Sequence, residues 1–266
     1  MTVERDLGVR LERTATYPSL GEAERMRARL DGADRSTTLH VARWPLARFA
    51  PKVVPLEPAE PVERWCREHA IGDALSGGFF SKPLVHPLGE LVVDGRPRRY
   101  VPFHDRWRTG RAAMAIDPDG ALAIAPRDEL DVHPEGSLLQ AGPLLVRDGS
   151  PLDSDEDPEG FSTGCAQFDS DITAEPLPRV ALGVTHDEQL LAVAVDGRGP
   201  EDDGLLLSEL AAVLVELGVR DALNLDGGSS SSLVTAGVRR NVPRDDSGNE
   251  LVDGYFTTSA IVVLPR

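Results

Sequence analysis

The 266-residue chain carries 28 Lys+Arg against 44 Asp+Glu, a formal charge of −16. That balance argues against nucleic acid as a partner, because affinity for a polyanion rests largely on Lys and Arg neutralising phosphates. Hydrophobic residues at 41% and charged residues at 27% exclude a disordered chain and suffice for a sizeable core in one large domain.

Met1 to Arg13 is charged and lacks the apolar stretch of a signal peptide, and no run approaches the ~20 apolar residues of a membrane span. A soluble, cytoplasmic protein is the expectation. Ser19-Leu20-Gly21-Glu22 has the form of a capping box, followed by helix formers to Asp31 and a Gly32 stop. Residues 1–35 are therefore read as an N-terminal helical extension to a domain over 36–266. Thr37 to Arg43 alternates apolar and polar residues as a half-buried strand does. Pro45, Pro51, Pro55, Pro58 and Pro61 then exclude a helix or a central strand, leaving a loop or an edge. Pro61 suits the first position of a short helix to about His69, and Ile71 to Phe80 reads as a strand entering a glycine turn.

Arg111 to Ala125 and Arg179 to Asp196 each show two apolar runs around a polar turn, the signal of a hairpin. Leu138 to Val146 is apolar and ends in an Arg147-Asp148-Gly149 turn. Asp153 to Asp157 alternates carboxylates, but Pro158 and Gly164 occupy positions where a calcium loop needs glycine and a bidentate glutamate, so the segment is read as a solvated loop. Gly204 to Gly218 places leucines at helical spacing, and Thr257 to Leu264 forms a last strand. The expected fold class is α+β: a single domain with a large, mostly antiparallel or mixed sheet and flanking helices.

Chemistry concentrates at two glycine pairs. Ala222 to Leu225 delivers Asp226 into Gly227-Gly228 and four serines, and such a strand-to-turn junction can present several N–H groups to an anion; it is also a strong hairpin-turn signal. Ser76-Gly77-Gly78 is a second strand-end pair that lets a ligand or backbone approach closely. Cys66 and Cys165 form neither a disulfide framework nor zinc-ligand spacing, and the histidines show no H-E-x-x-H pattern, so no metal site and no cofactor are expected. A serine-hydrolase elbow is disfavoured because Ser231 stands where its final glycine belongs.

Leu223 to Ser230 (LNLDGGSS), with the helix before it, closely resembles the signature of the phosphodiester glycosidase family. SGGFF at 76–80, AMAIDPDGALAI at 113–124, LLQAGPLLVRDG at 138–149, RVALG at 179–183, VDGR at 195–198, and Asn241 with Pro243 extend the resemblance over roughly residues 36 to 266. It implies a sheet with flanking helices that hydrolyses the bond between a sugar's anomeric carbon and a phosphodiester, so the expected partner is a small sugar phosphodiester. By position it places Asp226 and Asp196 as catalytic carboxylates. Arg179, Gly227, Gly228, Ser229 and Ser230, with Ser76, Gly77 and Gly78, fall on substrate-binding segments. Ser76 replaces the family's asparagine and Ser229 its third glycine. A non-catalytic binding module that keeps the fold is the rival reading, favoured by Ser76; a two-metal phosphodiesterase is a second, disfavoured by the scarcity of clustered ligands.

Overall fold

A computed structural model describes residues 8–30, 34–81, 84–104, 106–152, 159–162 and 172–266. Asp153 to Asp157 and Cys165 lie outside them. The chain is built mainly from strands. An eight-stranded sheet runs in the order Val9–Tyr17, Glu22–Leu30, Arg35–Pro45, Gln189–Val195, Arg179–Thr185, Val219–Asn224, Leu144–Arg147, Ser150–Pro151, with every neighbouring pair antiparallel. A second sheet joins Val238–Arg239, Leu233–Thr235, Asp73–Ser76, Thr257–Pro265 and Phe49–Glu60, and a third joins Leu122–Pro126, Ala112–Ile116, Ser137–Gln140, Leu91–Val93 and Arg96–Pro97.

The expected α+β class with flanking helices does not hold. Among the described residues there are two short α-helices, Val62–Glu68 and Leu207–Glu216, against three substantial antiparallel sheets. The reason lies in how the apolar residues divide. Val180, Leu182, Leu190 and Ala192 of the first sheet, Leu75, Ile261 and Val263 of the second, and Met114, Ile116 and Leu139 of the third meet in one core between the sheets. The alternate positions, Ala181, Leu191, Val193 and Val195, form a second core on the outer face of the first sheet, closed by Leu207, Leu210, Val213 and Leu214 of one helix. Each such leucine, fully buried, contributes roughly 1.5–3 kcal/mol. Cys66 and Val62 of the other helix cap the outer face of the second sheet.

The N-terminal segment departs most from expectation. Glu22–Leu30 is a nine-residue strand, not a helix, paired on one side with Val9–Tyr17 and on the other with Arg35–Pro45. Its Glu, Ala, Arg and Met residues favour helix intrinsically, but that preference amounts to tenths of a kcal/mol per residue and yields to two full ladders and the burial of Ala23, Ala28 and Leu30. Ser19, the supposed cap, instead donates its hydroxyl to the buried Asp73 carboxylate at 2.6 Å. The proline-rich segment is an edge: Phe49–Glu60 pairs only with Thr257–Pro265, where missing N–H groups disturb no second ladder. No helix among the described residues is long and apolar enough to cross a membrane.

Candidate active site

The segments that follow the strands Asp73–Ser76, Ser137–Gln140 and Val219–Asn224 meet, and Gly142 N–H donates to Asn224 O at 3.0 Å. The Asp226 N–H donates to Gly77 O at 3.0 Å, which joins the two glycine pairs directly. Gly77 N–H donates to Ser259 O at 3.0 Å and Gly78 N–H to Ser259 Oγ at 3.1 Å. A Cβ on Gly77 would lie 2.9 Å from Ser259 O, and one on Gly78 would lie 3.1 Å from Gln140 O. Gly77 leaves no room for a side chain because backbone packs against backbone there, and at Gly78 a Cβ would be tightly crowded.

Ser76 is fully buried, and its hydroxyl donates to Asp226 O at 3.2 Å while facing the Ser232 N–H at 3.4 Å. It ties the signature loop to the neighbouring strand. In the loop itself, Asp226, Gly227, Gly228 and Ser229 are half-buried and Ser230 is buried. Gly228 takes a left-handed φ of 57° and donates its N–H to Pro178 O at 2.8 Å. The N–H groups of Gly227 and Ser229 are not taken up by the backbone of the described residues. The anion-binding turn expected at 227–229 thus offers two amides rather than three.

The register between Arg179–Thr185 and Val219–Asn224 pairs Ala181 with Asn224, and Leu225 N–H continues it to Val180 O at 2.8 Å. Beyond the strand the chain bends at Asp226, and the Gly228 N–H to Pro178 O bond keeps the loop beside the start of the Arg179–Thr185 strand. The Arg179 guanidinium is buried and donates to Leu205 O and Glu175 O, each at 3.0 Å, and the Arg179 Cα lies 3.3 Å from where a Gly227 Cβ would be. Arg179 thereby braces the loop from behind. Asn224 donates its amide to Gly142 O and Leu225 O at 3.0 Å, while its buried Oδ1 has no hydrogen-bond partner.

Asp196 is buried and held on both oxygens: Oδ2 lies 2.9 Å from His40 Nε2, and Oδ1 accepts the Val242 N–H at 2.7 Å. Next to Val242, Asn241 accepts the Leu233 N–H at 2.9 Å and donates to Ser231 O at 2.8 Å, so this loop clasps the end of the serine run. Arg198, two residues past Asp196, is the residue the site reading of the sequence passed over. It adopts a left-handed φ of 57°, a backbone state that costs a non-glycine residue about 1 kcal/mol or more. Its guanidinium sits 3.5 Å from Ser229 Oγ and pairs with the exposed Asp246 at 2.7 Å. The signal for it was an arginine directly after Asp-Gly at a strand end.

A cavity of about 220 Å³ is lined by Gln140, Glu90, Tyr100, Phe103, Arg108 and Arg127, among others. Its wall is stiffened by the forked Arg127–Glu90 pair, at 2.7 and 3.3 Å, and by Gln140, which donates to Arg108 O and accepts from the Glu90 N–H.

Comparison with known proteins gives the same family from the family model and from the curated relatives, and a shared fold from solved structures. The phosphodiester glycosidase family model matches residues 71–257. The N-acetylglucosamine-1-phosphodiester alpha-N-acetylglucosaminidase of Bos taurus is 31% identical over 234 residues, covering 80% of this chain and 42% of that protein. The Homo sapiens protein of the same name is 30% identical over 233 residues, covering 80% and 42%. This chain therefore spans about two fifths of the length of the curated relatives it matches. Among solved structures, the zebrafish catalytic domain of that name, auto-inhibited by its pro-peptide, superposes with a TM-score of 0.69 at 19% identity, covering 99% of this chain and 85% of that one. A putative exported protein from Burkholderia pseudomallei gives 0.66 at 17% identity, covering 88% and 75%. At such identities the structures speak to the fold alone.

Proposed function

The chain belongs to the phosphodiester glycosidase family, and on that premise we propose that it hydrolyses the sugar C1–O bond of a glycosyl 1-phosphodiester, with N-acetylglucosamine the sugar indicated by its relatives' names. The observation that carries this is the meeting of Asp226 with Gly77, which sets a half-buried carboxylate-bearing residue beside two open amides and one arginine.

The chemistry asks little of a general acid. Breaking C1–O expels a phosphate monoester, which takes the bonding electron pair and whose second pKa of about 6 makes it a good leaving group near neutral pH. What the reaction requires is donors for the departing phosphate and a carboxylate for the oxocarbenium-like centre or for the proton of the attacking water. In this reading the Gly227 and Ser229 N–H groups and Arg198 receive the phosphate, Arg179 holds the loop from behind, and Asp226 serves as base or nucleophile. Asp196, with both oxygens engaged, supports the turn rather than the reaction. A −16 surface is compatible with an anionic ligand, because repulsion between exposed charges is screened beyond about 8–10 Å.

The test is hydrolysis of an N-acetylglucosaminyl methyl phosphate in ¹⁸O-water by the wild type and Asp226→Asn. Label in the sugar supports C–O cleavage, and label in the phosphate overturns it. Binding without turnover across a panel of sugar phosphodiesters selects the non-catalytic module, the reading that Ser76 in place of asparagine favours.

A further inference from the structure

Tyr17, His40 and Asp196 come from three different strands or their ends and form a hydrogen-bonded row inside the first sheet. His40 is almost fully buried, with Nε2 2.9 Å from Asp196 Oδ2 and Nδ1 3.3 Å from the Tyr17 hydroxyl. The two rings stack with centroids 6.0 Å apart. Because an ionised carboxylate only accepts, the Nε2–H donates to Asp196, and Nδ1 faces the Tyr17 hydroxyl. The charged groups around the row are Asp196 itself, Arg25 directly across from His40 on the Glu22–Leu30 strand, and Arg240, whose guanidinium carbon stands 4.7 Å above the Tyr17 ring. His40 is too deeply buried to touch a substrate, yet the carboxylate it orients holds the Val242 amide and opens the turn that carries Arg198.

We propose that His40, oriented by Tyr17, is a positioning residue of the site. It sets the Asp196 carboxylate, which through Val242 and Asn241 fixes the Ser231 end of the signature loop and, through Gly197, aims Arg198 at Ser229. The tyrosine and the histidine both precede the segment matched by the family model, which begins at residue 71. The N-terminal strands are on this account part of the site and not an appendage. The proposal rests on the hydrolase reading above.

The experiment compares the 266-residue wild type with His40→Gln, His40→Leu and Tyr17→Phe, at a temperature where circular dichroism shows each to be folded. Gln keeps an N–H donor for Asp196, and Leu removes it. A charge-assisted bond is worth ~1.5–3 kcal/mol, so His40→Leu is expected to lower kcat/KM on N-acetylglucosaminyl methyl phosphate by about tenfold or more. His40→Gln should stay within about threefold of the wild type on the same scale. Wild-type kinetics retained by His40→Leu overturn the proposal and leave the hydrolase reading intact. If the wild type does not turn over, the hydrolase reading fails by itself. Calorimetric affinity for N-acetylglucosamine 1-phosphate then decides: about tenfold weakening in the Leu but not the Gln variant supports positioning, and equal or absent binding overturns it. Should His40→Leu not fold, ¹⁵N spectra of the imidazole replace it. A wild-type imidazole protonated on Nε2 supports the row, and a wild-type tautomer protonated on Nδ1 alone overturns it.

Discussion

Arg198 carries the sharpest expectation, because its role is a single one, a charged fork that meets a phosphate. Arg198→Gln leaves a shorter, neutral polar side chain and removes the charge and the fork that suits a phosphate. Steady-state kinetics are expected to show KM rising about tenfold or more with a smaller change in kcat, since a hydrogen bond to a charged group is worth ~1.5–3 kcal/mol. An unchanged KM would remove Arg198 from the site. Cys66 gives a prediction independent of function. Burial, assisted by the nearby Glu63 and Asp73 carboxylates, pushes its thiol up to about 12. A thiol raised in the folded state contributes stability that is fully present below its unfolded pKa of ~8.5 and is lost as pH rises toward 12. Native labelling with iodoacetamide at pH 8 should therefore leave the peptide containing Cys66 unmodified. Alkylation at the rate of the denatured chain would contradict the burial.

Among the elements, two junctions decide whether the site holds together. The buried Asp73, at the start of its strand, accepts from Ser19 Oγ at 2.6 Å, Leu20 N–H at 2.8 Å, Trp44 Nε1 at 2.7 Å and Ala236 N–H at 2.9 Å. It thereby ties the N-terminal hairpin, the first sheet and the second sheet at one carboxylate. Asp73→Ala orphans several of these donors, each costing about 1–3 kcal/mol when buried, so urea denaturation should show a loss of about 3 kcal/mol or more. A loss under about 1 kcal/mol would mean that water replaces the carboxylate without penalty. Gly77→Ala drives a Cβ into Ser259, where backbone oxygen stands 2.9 Å away. The expected cost is about 1–3 kcal/mol, accompanied by a fall in activity as the Gly77–Asp226 bond is displaced. Full stability and activity in that variant would show that the two glycine turns meet less tightly than the structure has them. These junctions also explain the misreading of residues 19–31. A serine cap and a run of helix formers are local signals, whereas the partners that overruled them, Asp73 and the Arg35–Pro45 strand, lie elsewhere in the chain.

For the whole molecule, the −16 charge is spread over a single surface and opposes compaction. Raising salt from ~10 mM to ~150 mM shortens the Debye length from about 30 to 8 Å, so the melting temperature is expected to rise; a fall would place more stabilising than repulsive charge pairs on the surface. The sequence by itself determined the strand ends and turns of the site, since Leu223 to Gly228 and Asp73 to Gly78 are each a short apolar run stopped by glycine, a signal complete within a few residues. It likewise determined the Leu207–Glu216 helix and the two hairpins, whose periodicity is local. Only the tertiary structure decided that the two helices are minor partners of three sheets, because both faces of the first sheet are apolar and each must find its own cover. It alone also brought Tyr17, His40 and Asp196 into one row across separations of 23 and 156 residues, and joined Asp226 to Gly77. A hydrogen bond depends on where atoms stand in space, and for residues so far apart in the chain that position exists only once the sheets have assembled.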